Sequence, residues 1–491
     1  MFDVRTLIDR IPRIEVLIIG DAVLDCWMAG PSHRLCREAP VPVVTVTDRT
    51  YAPGGAGNTA ANVAALGAPV HLVSVIGDDQ DGRLLRDALV DRGVSADGLL
   101  TVPGYRTPSK RRVLAGQQML ARLDDGGDEP IPEHAADELI RTVDRLASRC
   151  ACVLVCDYGT GMLTDGIRDR LVQRRRSWSG PVVVDAHDPA RWAALRPTAV
   201  TPNYTETRLL LDERGPEDGD ERAVFVERHA GRLLDRSGAA MVVCTLDADG
   251  AVLLQPGRRI YRTYAKTAPA PGFTAGAGDS FVAAFTLALA AGAHETTALE
   301  LGTIAAGVVC QQARTSVCRR AELLRAIAPS ESGITSEEEL AEYVAAYRKA
   351  GRRLVFTNGC FDVLHRGHIT YLNQAKQLGD VLIVALNSDE SVRRLKGPDR
   401  PVNPVEDRAV VLAALSCVDH IVVFDEETPA KLLEAVRPDV YVKGGDYTPE
   451  MLPETPIVWR LGGEVRILDY VDDRSTTRII ERIRRTAEVP R

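Results

Sequence analysis

FTNGCFDVLHRGHITYL, residues 356–372, carries a strand end, a turn and a helix start in one short stretch. The apolar RRLVF closes at Phe356, Thr357 to Gly359 turn the chain, and His365-Arg366-Gly367-His368 enters a helix. A strand that feeds a helix in this way is the repeating unit of parallel sheets, because the crossover must return over the sheet face. The two histidines are three apart and share one helix face. At a helix N-terminus, where free N–H groups and the dipole favour negative charge, both imidazoles can meet one anionic ligand. Gly367 leaves room for close approach of a nucleotide. The chemistry that suits this arrangement is donation to an α-phosphate while a phosphate-monoester oxygen attacks and pyrophosphate leaves. Two plainer readings stand beside it: ordinary helix histidines, or a zinc scaffold of Cys360, His365 and His368, for which a fourth ligand is missing.

Downstream the pattern repeats in DVLIVALNSD, HIVVFD, DVYVKGGD and EVRILDYV, which with RRLVFTNG make five strands with helices between. That is enough for a small parallel-sheet domain. SVRRLKG supplies Arg393, Arg394 and Lys396 after the second strand, to neutralise phosphates or simply as a solvated basic face. VKGGD places Gly444 and Gly445 after a strand, open to backbone contact with a base or ribose. RSTTRII puts Ser475, Thr476 and Thr477 at the start of the last helix, where hydroxyls and N–H groups can hold β- and γ-phosphates or merely cap the helix.

Upstream, APSESGITSEEEL (328–340) interrupts the alternation with Pro, Gly, Ser and acidic residues, and reads as a linker ending in a helix N-cap at Thr335 or Ser336. Before it, β-rich runs at 16–20, 70–77, 152–157, 181–186 and 241–246 alternate with helical stretches such as GNTAANVAALG, up to an Ala-rich helix over 279–291. The expected organisation is an α/β domain over 1–328, a linker over 329–340 and a smaller α/β domain over 341–491. The length of 491 residues suits two or three domains, at roughly 100–200 residues each.

Apolar residues make up 45% and charged residues 26%, a globular balance that sets aside disordered, collagen-like and disulfide-scaffold chains. Lys plus Arg number 60 against 68 Asp plus Glu, a net charge of -8, which argues against a nucleic-acid or membrane-surface partner. No run of about 18 apolar residues marks a membrane span. The opening MFDVRTLIDR mixes charges of both signs, unlike a signal peptide, and ten scattered cysteines suggest reduced thiols in the cytoplasm. Cys150, Cys152 and Cys156 flank an apolar run without a CxxC pair or a nearby His, and read as buried strand residues.

No GxxxxGKS/T string occurs, which sets aside a P-loop kinase. Instead GAGDSF (276–281) opens the Ala-rich helix. Two glycines and a small residue let backbone N–H groups close on an anion, with the helix dipole behind them. Asp279, in the first turn, is placed to take a proton from an attacking hydroxyl; the bland reading is a capped helix start. Gly54-Gly55-Ala56-Gly57-Asn58 precedes another helix and offers a second place where backbone meets a polar ligand. In TPNYTE, Asn203 and Glu206 lie three apart, suited to ordering Mg²⁺ or its waters beside a triphosphate. Asp21 and Asp25, in GDAVLD, can accept hydrogen bonds from sugar hydroxyls.

Taken in order, these strings resemble the ribokinase-like (PfkB) carbohydrate kinases over almost all of residues 10–325. GDAVLDCWMAGPSHRLCREAPVPVV (20–44) and APGGAGNTAANVAALGA (52–68) are similar to the kinase half of the bifunctional heptose kinase/adenylyltransferases. The HxGH string and the late S-T-T helix start resemble the cytidylyltransferase-like nucleotidyltransferases over 350–485, and RLKGPDRPVNPVEDR and VKGGDY follow the adenylyltransferase half of the same bifunctional family. The resemblance implies a ribokinase-like α/β domain followed by a smaller Rossmann-like nucleotidyltransferase α/β domain.

The same resemblance implies Asp279 as catalytic base and the amides of Gly276, Ala277 and Gly278 as an anion hole. It puts Asn203, Tyr204, Thr205 and Glu206 at ATP, with Mg²⁺ carried by ATP rather than by a fixed protein-only site. Sugar contacts are implied at Asp21, Asp25, Gly54, Gly55 and Asn58. In the second domain it implies catalysis by His365 and His368, and nucleotide or phosphate contacts at Thr357, Asn358, Phe361, Lys396, Lys443, Gly444, Ser475, Thr476 and Thr477. The implied route phosphorylates the anomeric hydroxyl of heptose 7-phosphate, leaves the 7-phosphate to a separate phosphatase, and joins heptose 1-phosphate to AMP as ADP-heptose. Kinases of this kind are often dimers, so a homodimer is expected.

The chain departs from the kinase pattern at four positions. Phe273 and Ala275 stand where Asp and Thr are usual, and Thr160 and His187 where the family tends to carry Lys. Positive charge lost near the phosphates leaves two alternatives open: an active adenylyltransferase on a degenerate, sugar-binding kinase-like domain, or the same two chemistries on a different sugar phosphate.

Overall fold

Runs such as VLIIG and CVLVCD have no polar alternation, so both faces of the strand must be covered. In the computed structural model they lie at the centre of a nine-stranded sheet. The model describes residues 4–116, 118–127, 129–217, 219–265, 274–327, 333–364, 366–445 and 448–468. The chain divides into two units, 2–326 and 327–491.

In the first unit the strand order is Tyr261–Thr263, Ala251–Leu254, Met241–Thr245, Ala199–Val200, Val182–Ala186, Cys152–Asp157, Val16–Gly20, Val70–Gly77, Leu99–Val102. Every pairing is parallel except the two at the Tyr261–Thr263 edge. Leu17, Ile19, Val153, Val155, Val182, Val184 and Val242 form its inner core. Cys150, Cys152 and Cys156 are buried there, and burial raises the Cys150 and Cys152 thiols to about 12.

The order reverses between Val16–Gly20 and Cys152–Asp157, and a ligand crevice forms at such a reversal, outside the carboxyl ends of the strands. A second, four-stranded sheet pairs Asp48–Gly55, Ala22–Gly30, Ser109–Ala115 and Gln118–Asp125. The Ala-rich helix runs Ala277–Ala290 and packs against Ala56–Ala65 and Glu295–Cys310.

In the second unit five parallel strands follow the order His420–Phe424, Val381–Asn387, Leu354–Gly359, Val440–Gly444, Glu464–Leu468. The reversal here lies between Leu354–Gly359 and Val440–Gly444. The first of these strands continues through Thr357 to Gly359, where the sequence suggested a turn, because those residues keep their ladder with Val384 to Leu386. Helix Glu337–Lys349 starts inside the stretch expected as linker: Ser336 Oγ accepts from Glu339 N at 3.2 Å, and Glu339 Oε2 accepts from Ser336 N at 2.9 Å. This reciprocal pair satisfies two of the free donors of the first turn.

Candidate active sites

In the first unit, three neighbouring strands end on polar residues: Asp21 just past Val16–Gly20, Tyr158 just past Cys152–Asp157, and Asp185 within Val182–Ala186. The helix Ala277–Ala290 begins beside them. Gly276 turns into it with φ 95°, and a Cβ there would lie 2.3 Å from Asn58 Nδ2, so only glycine fits. Asn58 Nδ2 donates to Asp279 Oδ2 at 2.7 Å, and Thr59 Oγ1 donates to Oδ1 at 3.3 Å. Tyr158 brings its hydroxyl 3.4 Å from Asp279 Oδ1 and 2.6 Å from Asp185 Oδ2, so its single proton goes to Asp185. Thr201 Oγ1 donates to the other Asp185 oxygen at 2.9 Å.

Desolvation raises the Asp279 carboxyl to about 6, against the pull of Asn58, and raises Asp185 to about 7. Asp279 is therefore ionised at neutral pH yet far more basic than an ordinary carboxylate, which suits a general base. The next residue is tied down separately: Ser280 Oγ donates to Asn62 Oδ1 at 2.7 Å, and Asn62 Nδ2 donates to the Asn58 carbonyl at 2.9 Å.

Asp21 is buried, which raises its carboxyl. Its Oδ2 accepts from Tyr158 N at 2.8 Å and Thr160 N at 3.3 Å, while Oδ1 has no partner among the described residues. Gly55 (φ 57°) brings the backbone against Asp21: a Cβ there would lie 2.5 Å from the Asp21 carbonyl oxygen. Asp25, also expected at the sugar, has both oxygens engaged within the protein, by Arg112 Nη1 at 2.7 Å and Thr315 Oγ1 at 2.8 Å. Gly54 lies against Asp25.

Asn203 and Glu206 form a helix capping box: Glu206 N donates to Asn203 Oδ1 at 2.9 Å and Asn203 N to Glu206 Oε2 at 2.8 Å. The second Glu206 oxygen pairs with His187 Nδ1 at 2.7 Å, which raises the imidazole pKa. Thr205 is exposed, whereas the Tyr204 side chain turns inward. It is 5% exposed, and its hydroxyl donates to the Pro216 carbonyl at 2.8 Å because the helix turns that face into the core. Phe273 lies outside the described residues.

In the second unit, Asn358 and Lys443 stand on the two strands that flank the reversal. Lys443 Nζ donates to Asn358 Oδ1 at 2.9 Å, and Tyr441 OH donates to the same atom at 2.7 Å. Burial lowers the Lys443 pKa. His368 lies on helix Arg366–Lys376, 9% exposed, with the Phe361 ring 5.4 Å away. Phe361 itself has φ 43°, a conformation a side chain rarely adopts and one that clusters at functional sites. Gly444 ends its strand, and Lys396 ends helix Asp389–Lys396 in solvent.

Thr357 lies on strand Leu354–Gly359. Its side chain is fully buried, and its hydroxyl lies 2.6 Å from Tyr371 OH, joining strand to helix. Asp362, unremarked in the sequence, is buried and binds Arg400, Val402 N at 2.7 Å and Asn403 N at 3.1 Å, pinning the 400–403 loop. His365, Ser475, Thr476 and Thr477 lie outside the described residues.

Residues 13–322 match the model of the pfkB family carbohydrate kinases, and residues 356–482 match the cytidylyltransferase-like model. Bifunctional protein HldE of Alcanivorax borkumensis is 40% identical over 479 residues, 96% of this chain and 97% of that protein. The same-named protein of Klebsiella pneumoniae subsp. pneumoniae is 40% identical over 491 residues, 99% of this chain and 100% of that one. The chain belongs to the bifunctional HldE family.

Solved structures share the fold of the first unit of this HldE-family chain. Arabidopsis thaliana ribokinase complexed with ribose and ATP has a TM-score of 0.50 at 21% identity, covering 64% of this chain and 98% of that one. Escherichia coli phosphofructokinase-2 in complex with substrates and products has a TM-score of 0.53 at 20% identity, covering 64% and 97%. Among the described residues no helix is long and apolar enough to cross a membrane.

Tyr158, Thr59, Asn62 and Asp185 belong to the first site but went unread in the sequence. The available signal was position: Tyr158 and Asp185 fall at the carboxyl ends of all-apolar parallel strands, where crevices open.

Proposed function

We propose that the chain makes ADP-heptose in two chemical steps, one in each unit. It is a carbohydrate kinase and an adenylyltransferase. The first step moves the γ-phosphoryl group of ATP to the anomeric hydroxyl of heptose 7-phosphate. The second joins heptose 1-phosphate to AMP from ATP and releases pyrophosphate. Kinship along the whole chain carries this reading, and the Asn58–Asp279 contact speaks for a working kinase rather than a sugar-binding remnant.

In the kinase step Asp279 accepts the proton of the anomeric hydroxyl as its oxygen attacks phosphorus, and the amides of Gly276, Ala277 and Gly278 bind the charge that gathers on the phosphoryl oxygens. The free Asp21 Oδ1 accepts from a sugar hydroxyl, and Gly54, Gly55 and Asn58 line the same end. Mg²⁺ enters with ATP. Glu206, both of whose oxygens are already engaged, and Asp185 fit an ion held mainly by phosphate oxygens and water. When bound, it neutralises phosphate charge.

In the second unit His368 and His365 donate to the α-phosphate, Lys443 pairs with a phosphate oxygen, and Lys396 and Phe361 flank the nucleotide. Gly444 and Asn358 meet it through the strand ends, and Ser475, Thr476 and Thr477 take the outer phosphates. The setting is the cytoplasm, where ten free thiols stay reduced, and the working form is a homodimer.

One preparation assayed for ADP formation with heptose 7-phosphate and for pyrophosphate release with heptose 1-phosphate tests the reading. Activity in both supports it, and pyrophosphate release alone would sink the kinase half.

A further inference from the structure

The first site is crowded with negative charge. Asp21, Asp25, Asp185, Glu206 and Asp279 surround a place that must accept a nucleotide triphosphate and a phosphorylated sugar. The cations beside them are spoken for: Arg112 by Asp25, and His187 by Glu206. Mg²⁺ arriving with ATP offsets part of that charge, and a protein cation near the oxygens of the moving group adds to that offset in a phosphoryl-transfer site.

Lys110 is placed to be that cation. It lies on strand Ser109–Ala115, directly beside Asp25 in the parallel ladder with Ala22–Gly30. Side chains two apart on a strand share a face, so Lys110 lies on the face of Arg112, whose guanidinium binds Asp25 and sits 4.6 Å over the Trp27 ring. Arg111, on the opposite face, pairs with Asp81. On the other flank Lys110 is opposite Asp124, both of whose oxygens are taken by Arg122. Lys110 therefore makes no ion pair among the described residues. Its charge opposes protonation of His187, whose ring lies tilted at 5.4 Å from that of Tyr158. Lys110 thus stands beside the carboxylate at the sugar end, and its charge reaches the imidazole at the ATP end.

We propose that Lys110 binds the phosphoryl group as it passes from ATP to the sugar. The anomeric oxygen forms its bond to the γ-phosphorus as the bond from that phosphorus to the β–γ bridging oxygen breaks. The hydroxyl proton goes to Asp279 and ADP departs. Lys110 stays protonated throughout, donating N–H to a phosphoryl oxygen. A lysine of the four-stranded sheet in this role makes up for the uncharged Thr160 and the carboxylate-bound His187. The assignment rests on the kinase reading above.

Lys110→Met tests it, with Lys110→Gln and Lys110→Arg alongside. Met and Gln are expected to lower kcat for ADP formation about 100-fold, leave KM for heptose 7-phosphate within about threefold and restore in part with Arg. Pyrophosphate release and the unfolding temperature, measured on the same samples, stay at wild-type values and report folding. Unchanged kcat overturns the assignment. So does a raised KM with kcat intact, which would place Lys110 on the sugar's own distal phosphate. A wild-type chain without any ADP formation would instead remove the kinase reading itself, and the assignment with it.

Discussion

Asp279 works only as the anion, and its carboxyl lies near 6, raised mainly by burial. Kinase kcat/KM should therefore fall as pH drops through about 6 and level off above it. Asn58 stabilises the charged form, so Asn58→Ala should move that limb to higher pH; a pH series of ADP formation in which the limb stays put would count against the contact. Asp279→Asn, which cannot take the proton, should cost about 1,000-fold in kcat. Gly276→Ala forces a Cβ into Asn58 and should cripple the kinase while sparing pyrophosphate release.

At this scale the sequence displayed the glycines, Asp279 and the HxGH string because each sits in a local pattern. Tyr158, Asp185 and Lys110 carry no local pattern. They meet Asp279 or its surroundings only after distant strands pair, and strand register is a tertiary fact. Tyr204 and Thr357 show the converse: they stand inside a recognisable string, and strand and helix geometry turns their side chains inward.

Among elements, the strands of both large sheets were legible because a strand covered on both faces must be apolar throughout. The four-stranded sheet was not. Ser109–Ala115 carries Lys110, Arg111 and Arg112 in a row and Gln118–Asp125 is mostly exposed, so neither shows the apolar run of a covered strand. The start of helix Glu337–Lys349 was legible from chemistry alone, since Ser336 and Glu339 spell a capping box. Ser336→Ala should remove about 1 kcal/mol from the second unit, read as a lower denaturant midpoint for that unit with ADP formation unaltered. The helices 56–65 and 277–290 are joined at two levels, Asn58 to Asp279 and Asn62 to Ser280. A residue inserted into either helix would rotate one level by about 100° and silence the kinase, whereas the same insertion near Gly104, a turn glycine with nothing within 4 Å of its Cβ position, should be tolerated.

For the molecule as a whole, the two chemistries rest on separate sheets, each with its own core. His368→Ala should abolish pyrophosphate release and leave ADP formation within about twofold of wild type; a folded variant that loses both would show the units to be coupled. The separation also sets the order in which a growing chain becomes competent. Every strand of the first sheet precedes residue 264, and the Asp279 helix follows at once. The second sheet is laid down differently, because its earliest strand, Leu354–Gly359, ends up in the middle. A nascent chain that has emerged only to Phe424 holds three of the five strands, and the uncovered edge is the strand bearing Asn358. An open, apolar, parallel edge recruits other chains, and neighbouring ribosomes on one message supply them. The arrival of Val440–Gly444 closes that edge and delivers Lys443 in the same event, and the exposed edge passes outward until Glu464–Leu468 covers it.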